Sequence, residues 1–138
     1  DGDHPVKKAL LLSSLLILAI PAAHAQGSIE QCYKAATNEV AMRECLKKEL
    51  QQTRDEYREA LDKLTQQAGE LDRVTGRNEA IPALEKANMS FDRYVSEQCR
   101  FEETMFSGGS GAGAANLACQ INLLHIRIGA MEAFTAEQ

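Results

Sequence analysis

Four cysteines, Cys32, Cys45, Cys99 and Cys119, constrain this 138-residue chain more than any other feature. An even cysteine count in a short chain reads either as a disulfide framework or as a metal site, and spacing and redox compartment decide between the two. Structural zinc sites use close pairs such as Cys-x-x-Cys. Here the gaps are wide and His125 is the one imidazole beyond Cys32, so no metal site and no cofactor is expected. The compartment follows from the N-terminal segment. Lys7 and Lys8 precede an apolar run from Ala9 to Ile20, and Ala23-His24-Ala25 offers the small-x-small pattern that signal peptidase reads. Residues 1–25 are therefore expected to be an export signal, cut after Ala25. The run is shorter than the about 20 residues that span a bilayer and carries Ser13 and Ser14, so no stable membrane insertion is expected. Asp1 and Asp3 put negative charge where such a signal carries positive, so residues 1–5 read as upstream sequence, with translation starting at Val6.

All four cysteines lie beyond the cut, where an oxidising compartment favours two disulfides. Three pairings are open, and the sequence alone does not choose among them. Local geometry favours Cys32 with Cys45, tying an irregular segment onto the helix that follows, and Cys99 with Cys119, clamping two helices beside a glycine-rich loop. Residues 26–138, 138 minus 25 or 113 residues, suffice for one small domain. Its charge, 13 minus 18 or −5 once two charges of each sign leave with the signal, disfavours nucleic acid and leaves attraction to a basic protein open.

No strand-like alternation runs through this domain, whereas three long segments repeat their apolar residues at helical spacing. The expected fold is all-α, a small antiparallel hairpin or bundle of three main helices stapled by two disulfides. The first helix has Thr37 or Asn38 as cap, Glu39 in its first turn, and a stripe of Leu46, Leu50, Tyr57, Leu61, Leu64, Ala68 and Leu71, with Gly69 and Gly76 bracketing its end. The second begins near Pro82 and carries Leu84, Ala87, Phe91, Tyr94, Val95 and Cys99, reaching toward Met105. The third carries Leu117, Ile121, Leu124, Ile128 and Met131, widened by Leu123, Ile126 and Phe134. Between the last two lies Ser107-Gly108-Gly109-Ser110-Gly111-Ala112-Gly113, where repeated glycine removes helix propensity.

No catalytic constellation assembles from these residues, so no enzyme is expected. The glycine loop has neither the G-x-G-x-x-G spacing nor the Lys-Ser/Thr of a phosphate loop. Ser110 has no recognisable His and Asp partners. Glu102 and Glu103 are adjacent on a helix and diverge. His125 reads as a boundary residue whose ring is hydrogen-bonded.

The order of these features resembles a known family. Cys32, then Ala36-Thr37-Asn38-Glu39-Val40-Ala41-Met42-Arg43-Glu44-Cys45, Tyr57 on a long helix, Leu84-x-x-Ala87-Asn88-x-x-Phe91-x-x-Tyr94 ending at Cys99, then Gly108-Gly109-Ser110, Cys119 and Arg127, is similar to the LprI-type lysozyme inhibitors. The chain departs from that family at Asn88 and Phe91, where members carry Gln and Trp, and at Val95 and Ser96, where they carry an Arg-Asp pair. Gln26 follows the cut where a lipoprotein would have cysteine, so a soluble periplasmic or secreted protein is expected. The resemblance implies a proteinaceous inhibitor that occludes the cleft of a basic muramidase. Ser107, Gly108, Gly109, Ser110, Gly111 and Gly113 are the candidate partner-binding residues. The alternative is a non-catalytic envelope adaptor or assembly factor that docks through its helices.

Overall fold

A computed structural model describes residues 22–137; the export-signal reading falls mostly on residues 1–21, outside them. Four helices follow in order: α1 (Ala22–Ala35), α2 (Glu39–Thr75), α3 (Ala80–Thr104) and α4 (Ala112–Ala136). No strand occurs among the described residues. The all-α expectation stands, and the helix number is corrected from three to four, because the segment read as irregular before Asn38 is helical. The cut expected after Ala25 falls in the first turn of α1.

Local chemistry sets the helix ends. The Asn38 side chain accepts a hydrogen bond from the Ala41 N–H at 2.9 Å, satisfying a donor that the first turn leaves open. Gly76 closes α2 in the left-handed region, at φ 68°, where a side chain is disfavoured. Gly69, by contrast, lies inside α2 and ends nothing.

The start of α3 is capped from outside its own sequence. Asp72, only 8% exposed near the end of α2, accepts the backbone N–H groups of Glu79, Ala80 and Ile81 at 2.9, 2.8 and 2.9 Å. Pro82 comes next and has no N–H to satisfy. These bonds to the charged form hold the Asp72 carboxyl below the usual carboxylate range, the Ile81 and Ala80 amides contributing most.

Two core clusters fix the helix directions. One joins Cys32, Leu46 and Leu50 to Ala114, Ile121 and Leu124; the other joins Ala60 to Ile128 and Met131. Residue numbers rise together along α2 and α4, so these helices run parallel. The Cys99–Cys119 disulfide and the Asn88–Arg127 hydrogen bond pair falling with rising numbers, so α3 runs antiparallel to α4. Disulfide Cys32–Cys45 seats α1 against the start of α2. Tyr57 stacks on Phe91 at 5.9 Å between centroids, and the Arg127 guanidinium lies over the same Phe91 ring, 4.6 Å from its centroid.

Several expected stripe residues lie outside this core. Leu71, Tyr94, Met105, Ile126 and Phe134 are all more than half exposed. A helical period marks a face without saying how much of it a neighbouring helix covers.

Candidate functional site

Four helix ends meet at one pole of the bundle: the last turns of α1 and α3 and the first turns of α2 and α4. Both disulfides brace this pole, with the favoured pairing present in each case. Cα separations are 5.7 Å for Cys32–Cys45 and 5.4 Å for Cys99–Cys119, within ordinary disulfide geometry. Below the loop, Arg54 on α2 donates to the Gln120 carbonyl at 3.0 Å, Gln120 donates to Asn116 at 2.6 Å, and Asn116 donates to Glu103 on α3 at 2.9 Å. This chain of bonds runs from a cation to a carboxylate and links three helices.

The glycine-rich segment is hydrogen-bonded rather than shapeless. Ser107 N–H donates to Thr104 O at 2.9 Å, Gly109 N–H to Phe106 O at 2.8 Å, and Ala112 N–H to Gly109 O at 3.1 Å. Ser107 and Gly108 both adopt positive φ, 50° and 71°, and the second has no Cβ to strain there. At Gly111 an added Cβ would lie 3.3 Å from the Phe106 ring, so the aromatic folds back over this glycine and would have to shift slightly to admit a side chain there. Ala112 and Gly113, read from the sequence as loop, form the first turn of α4. Gly111, at the start of that helix, makes no side-chain cap bond.

Facing this segment is the α1–α2 connection. Together they enclose a groove of about 280 Å³ lined by residues that include Tyr33, Asn38, Met42, Phe106, Ser110 and Gly111. Of its lining residues, Tyr33 and Phe106 are 49% and 53% exposed. Clustered exposed apolar side chains beside a groove are what a protein-binding surface presents. Sequence reasoning found the glycines and Ser110 but missed Tyr33, Met42 and Phe106. Tyr33 and Phe106 fall in no apolar stripe, and Met42 comes to the groove only once α1 folds back on α2.

The remaining candidates are placed as follows. The His125 ring lies midway along α4, half-buried, its Nε2 3.1 Å from Thr53 Oγ1. That hydroxyl already donates to Glu49 O at 2.8 Å, so it accepts, and Nε2 carries the proton. Beside it, Glu49, Glu56 and Glu132 line an open cavity of about 360 Å³. Among the described residues no cluster of three His, Cys, Asp or Glu could hold a metal ion. Glu102 accepts from Gln98 and Glu103 from Asn116, so the two adjacent carboxylates diverge. No described helix is long and apolar enough to cross a membrane.

A family profile described as lysozyme inhibitor LprI matches residues 30–131, from the last turns of α1 into the last turns of α4. No curated protein and no solved structure matched the chain.

Proposed function

The chain belongs to the LprI lysozyme-inhibitor family, and from that premise we propose that it is an exported inhibitor of lysozyme-type muramidases that occludes the enzyme cleft with the disulfide-braced pole of its bundle. The observation that carries this reading is the groove at the glycine segment, into whose lining Tyr33 and Phe106 bring exposed aromatic side chains. Muramidases cut glycosidic bonds with two carboxyl groups flanking a narrow cleft. An inhibitor needs a projection slim enough to enter it and donors for those acids. Ser107 to Gly111 carry no large side chain, the Ser110 hydroxyl is exposed, and the uncapped start of α4 presents N–H groups and a positive dipole end to an anion. Phe106 supplies the apolar anchor beside them. Two disulfides at the base keep the projection ordered before binding, which lowers the entropic cost of association. The net charge of −5 suits a basic enzyme. Export supplies both the oxidising compartment and access to the target.

The test is titration of a basic lysozyme with the purified oxidised protein, following lysis of a peptidoglycan suspension. Activity is expected to fall in proportion to inhibitor up to one equivalent, and full activity at tenfold excess would overturn the reading. Phe106→Asp, on an exposed side chain that leaves the core untouched, is expected to raise the inhibition constant at least about tenfold. Undiminished inhibition by that variant would move the contact away from this pole.

A further inference from the structure

Apart from the groove, α3 carries a second surface that is left exposed among the described residues. Ala83, Ala87, Tyr94, Phe101 and Met105 succeed one another at spacings of four, seven, seven and four residues, and all five are exposed. At 100° per residue these positions fall within a narrow arc of the helix, forming one straight apolar row. Tyr94 and Phe101, at 52% and 56% exposure, stand two turns apart as its large members. Lys86, Arg93 and Arg100 each precede a member of the row by one residue, so a basic row runs parallel to it, also exposed. None of the three makes an ion pair, although six other cations of the described chain do. Glu97 stands among them, so this strip carries three positive charges minus one, or +2, on a protein whose net charge is −5.

We infer that this face of α3 docks an amphipathic helix of another protein, with apolar side chains along one edge and carboxylates along the flank that meets Lys86, Arg93 and Arg100. The seven-residue repeat is the period at which two helices keep one seam in register. Ala83 and Ala87 let a partner backbone approach closely at one end, while Tyr94 and Phe101 offer anchors at the other. The basic row selects the sign of the partner. A second copy is disfavoured by the same charge argument, since an antiparallel pair would set Lys86, Arg93 and Arg100 against their equivalents. A membrane surface is disfavoured by the narrowness of the row, since interfacial helices bury a broad apolar face. The inference does not rest on muramidase inhibition, whose surface lies at the glycine segment.

The test uses the oxidised protein and a fluorescein-labelled helical peptide of about 21 residues, three heptads, with Leu repeated at four- and seven-residue spacing and Glu on the flanks. A counterpart peptide carries Lys in place of every Glu. The Glu peptide is expected to bind at least about tenfold tighter than the Lys peptide, with the preference shrinking as salt rises. Arg93→Glu with Arg100→Glu is expected to weaken the Glu peptide and rescue the Lys peptide, a reversal that a merely sticky surface does not give. Backbone amide shifts on binding should map to α3 between Ala83 and Met105. Equal affinity for the two peptides, shifts confined to other helices, or failure of the charge swap to rescue would overturn the inference. So would dimerisation of the free protein, or its binding to phosphatidylglycerol vesicles, if either is abolished by Tyr94→Ala with Phe101→Ala. Lysozyme titration of the charge-swapped protein separates the two readings, since inhibition at one equivalent is expected to be retained.

Discussion

Asp72 does the work of a helix cap from the neighbouring helix, and its chemistry gives the fold an acid-side dependence. Its carboxyl pKa is depressed in the folded chain, so the stability it confers is complete above the ordinary carboxylate value, about 4, and is lost as pH falls through the folded value. Asp72→Asn is expected to lower the thermal midpoint at neutral pH by several degrees, with the gap to wild type closing below that value. A constant gap across the acid range, measured by circular dichroism melts, would remove the carboxylate from this role. Tyr57 behaves in the opposite sense. Burial raises its phenol above the ordinary tyrosine value of about 10, so its contribution is complete below the unfolded value and lost as pH climbs through the folded one. Spectrophotometric titration is expected to show one of the three tyrosines ionising late. Arg127→Lys is expected to cost about 1–2 kcal/mol, because an ammonium cannot both lie flat on Phe91 and reach Asn88; an unchanged urea midpoint would show that the stack is idle. The Asn38 cap was legible because it sits three residues before its donor, at the spacing such caps require. The Asp72 cap was not, since its acceptors' partners lie seven to nine residues away across a turn whose path the sequence does not draw.

At the level of helices, periodicity located the inward faces of α2 and α4 well: Leu46, Leu50, Ile121, Leu124, Ile128 and Met131 are all buried. It did not find α1, whose described part has few apolar residues besides Ile29, Cys32 and Tyr33 and contains Gly27. That helix is held by its disulfide and by contacts with α2 and α4 rather than by propensity. Replacing Cys32 and Cys45 together by Ala is therefore expected to release α1 to rapid amide exchange while α2 to α4 keep theirs; simultaneous loss of protection in all four would show that α1 belongs to the same cooperative unit. Removing Cys99 and Cys119 opens a 20-residue separation and is expected to cost about 3 kcal/mol in the chain-entropy account. It should also loosen the glycine segment and slow inhibitor binding if that segment must be ordered beforehand. The candidate site was half legible on the same grounds. Its glycines and serine are local composition, whereas Tyr33 and Phe106 reach the groove only through the way α1 and α3 end.

Across the molecule, charge is uneven: an acidic whole carries one basic strip on α3. Association with a basic enzyme is expected to slow severalfold between low and physiological salt, where the screening length shortens to about 8 Å. A stopped-flow rate independent of salt would put the acidic surface out of play. The placement of the covalent ties is equally uneven. Both bridges sit where α1 and α3 end, while the turn between α2 and α3 has no covalent tie and is held by hydrogen bonds, chiefly to the Asp72 carboxylate. Heat or acid must then fray this molecule from the tail of α2 upward, and the end proposed to meet a lysozyme is the last to melt, so recognition should outlive much of the helix content that a spectrometer counts.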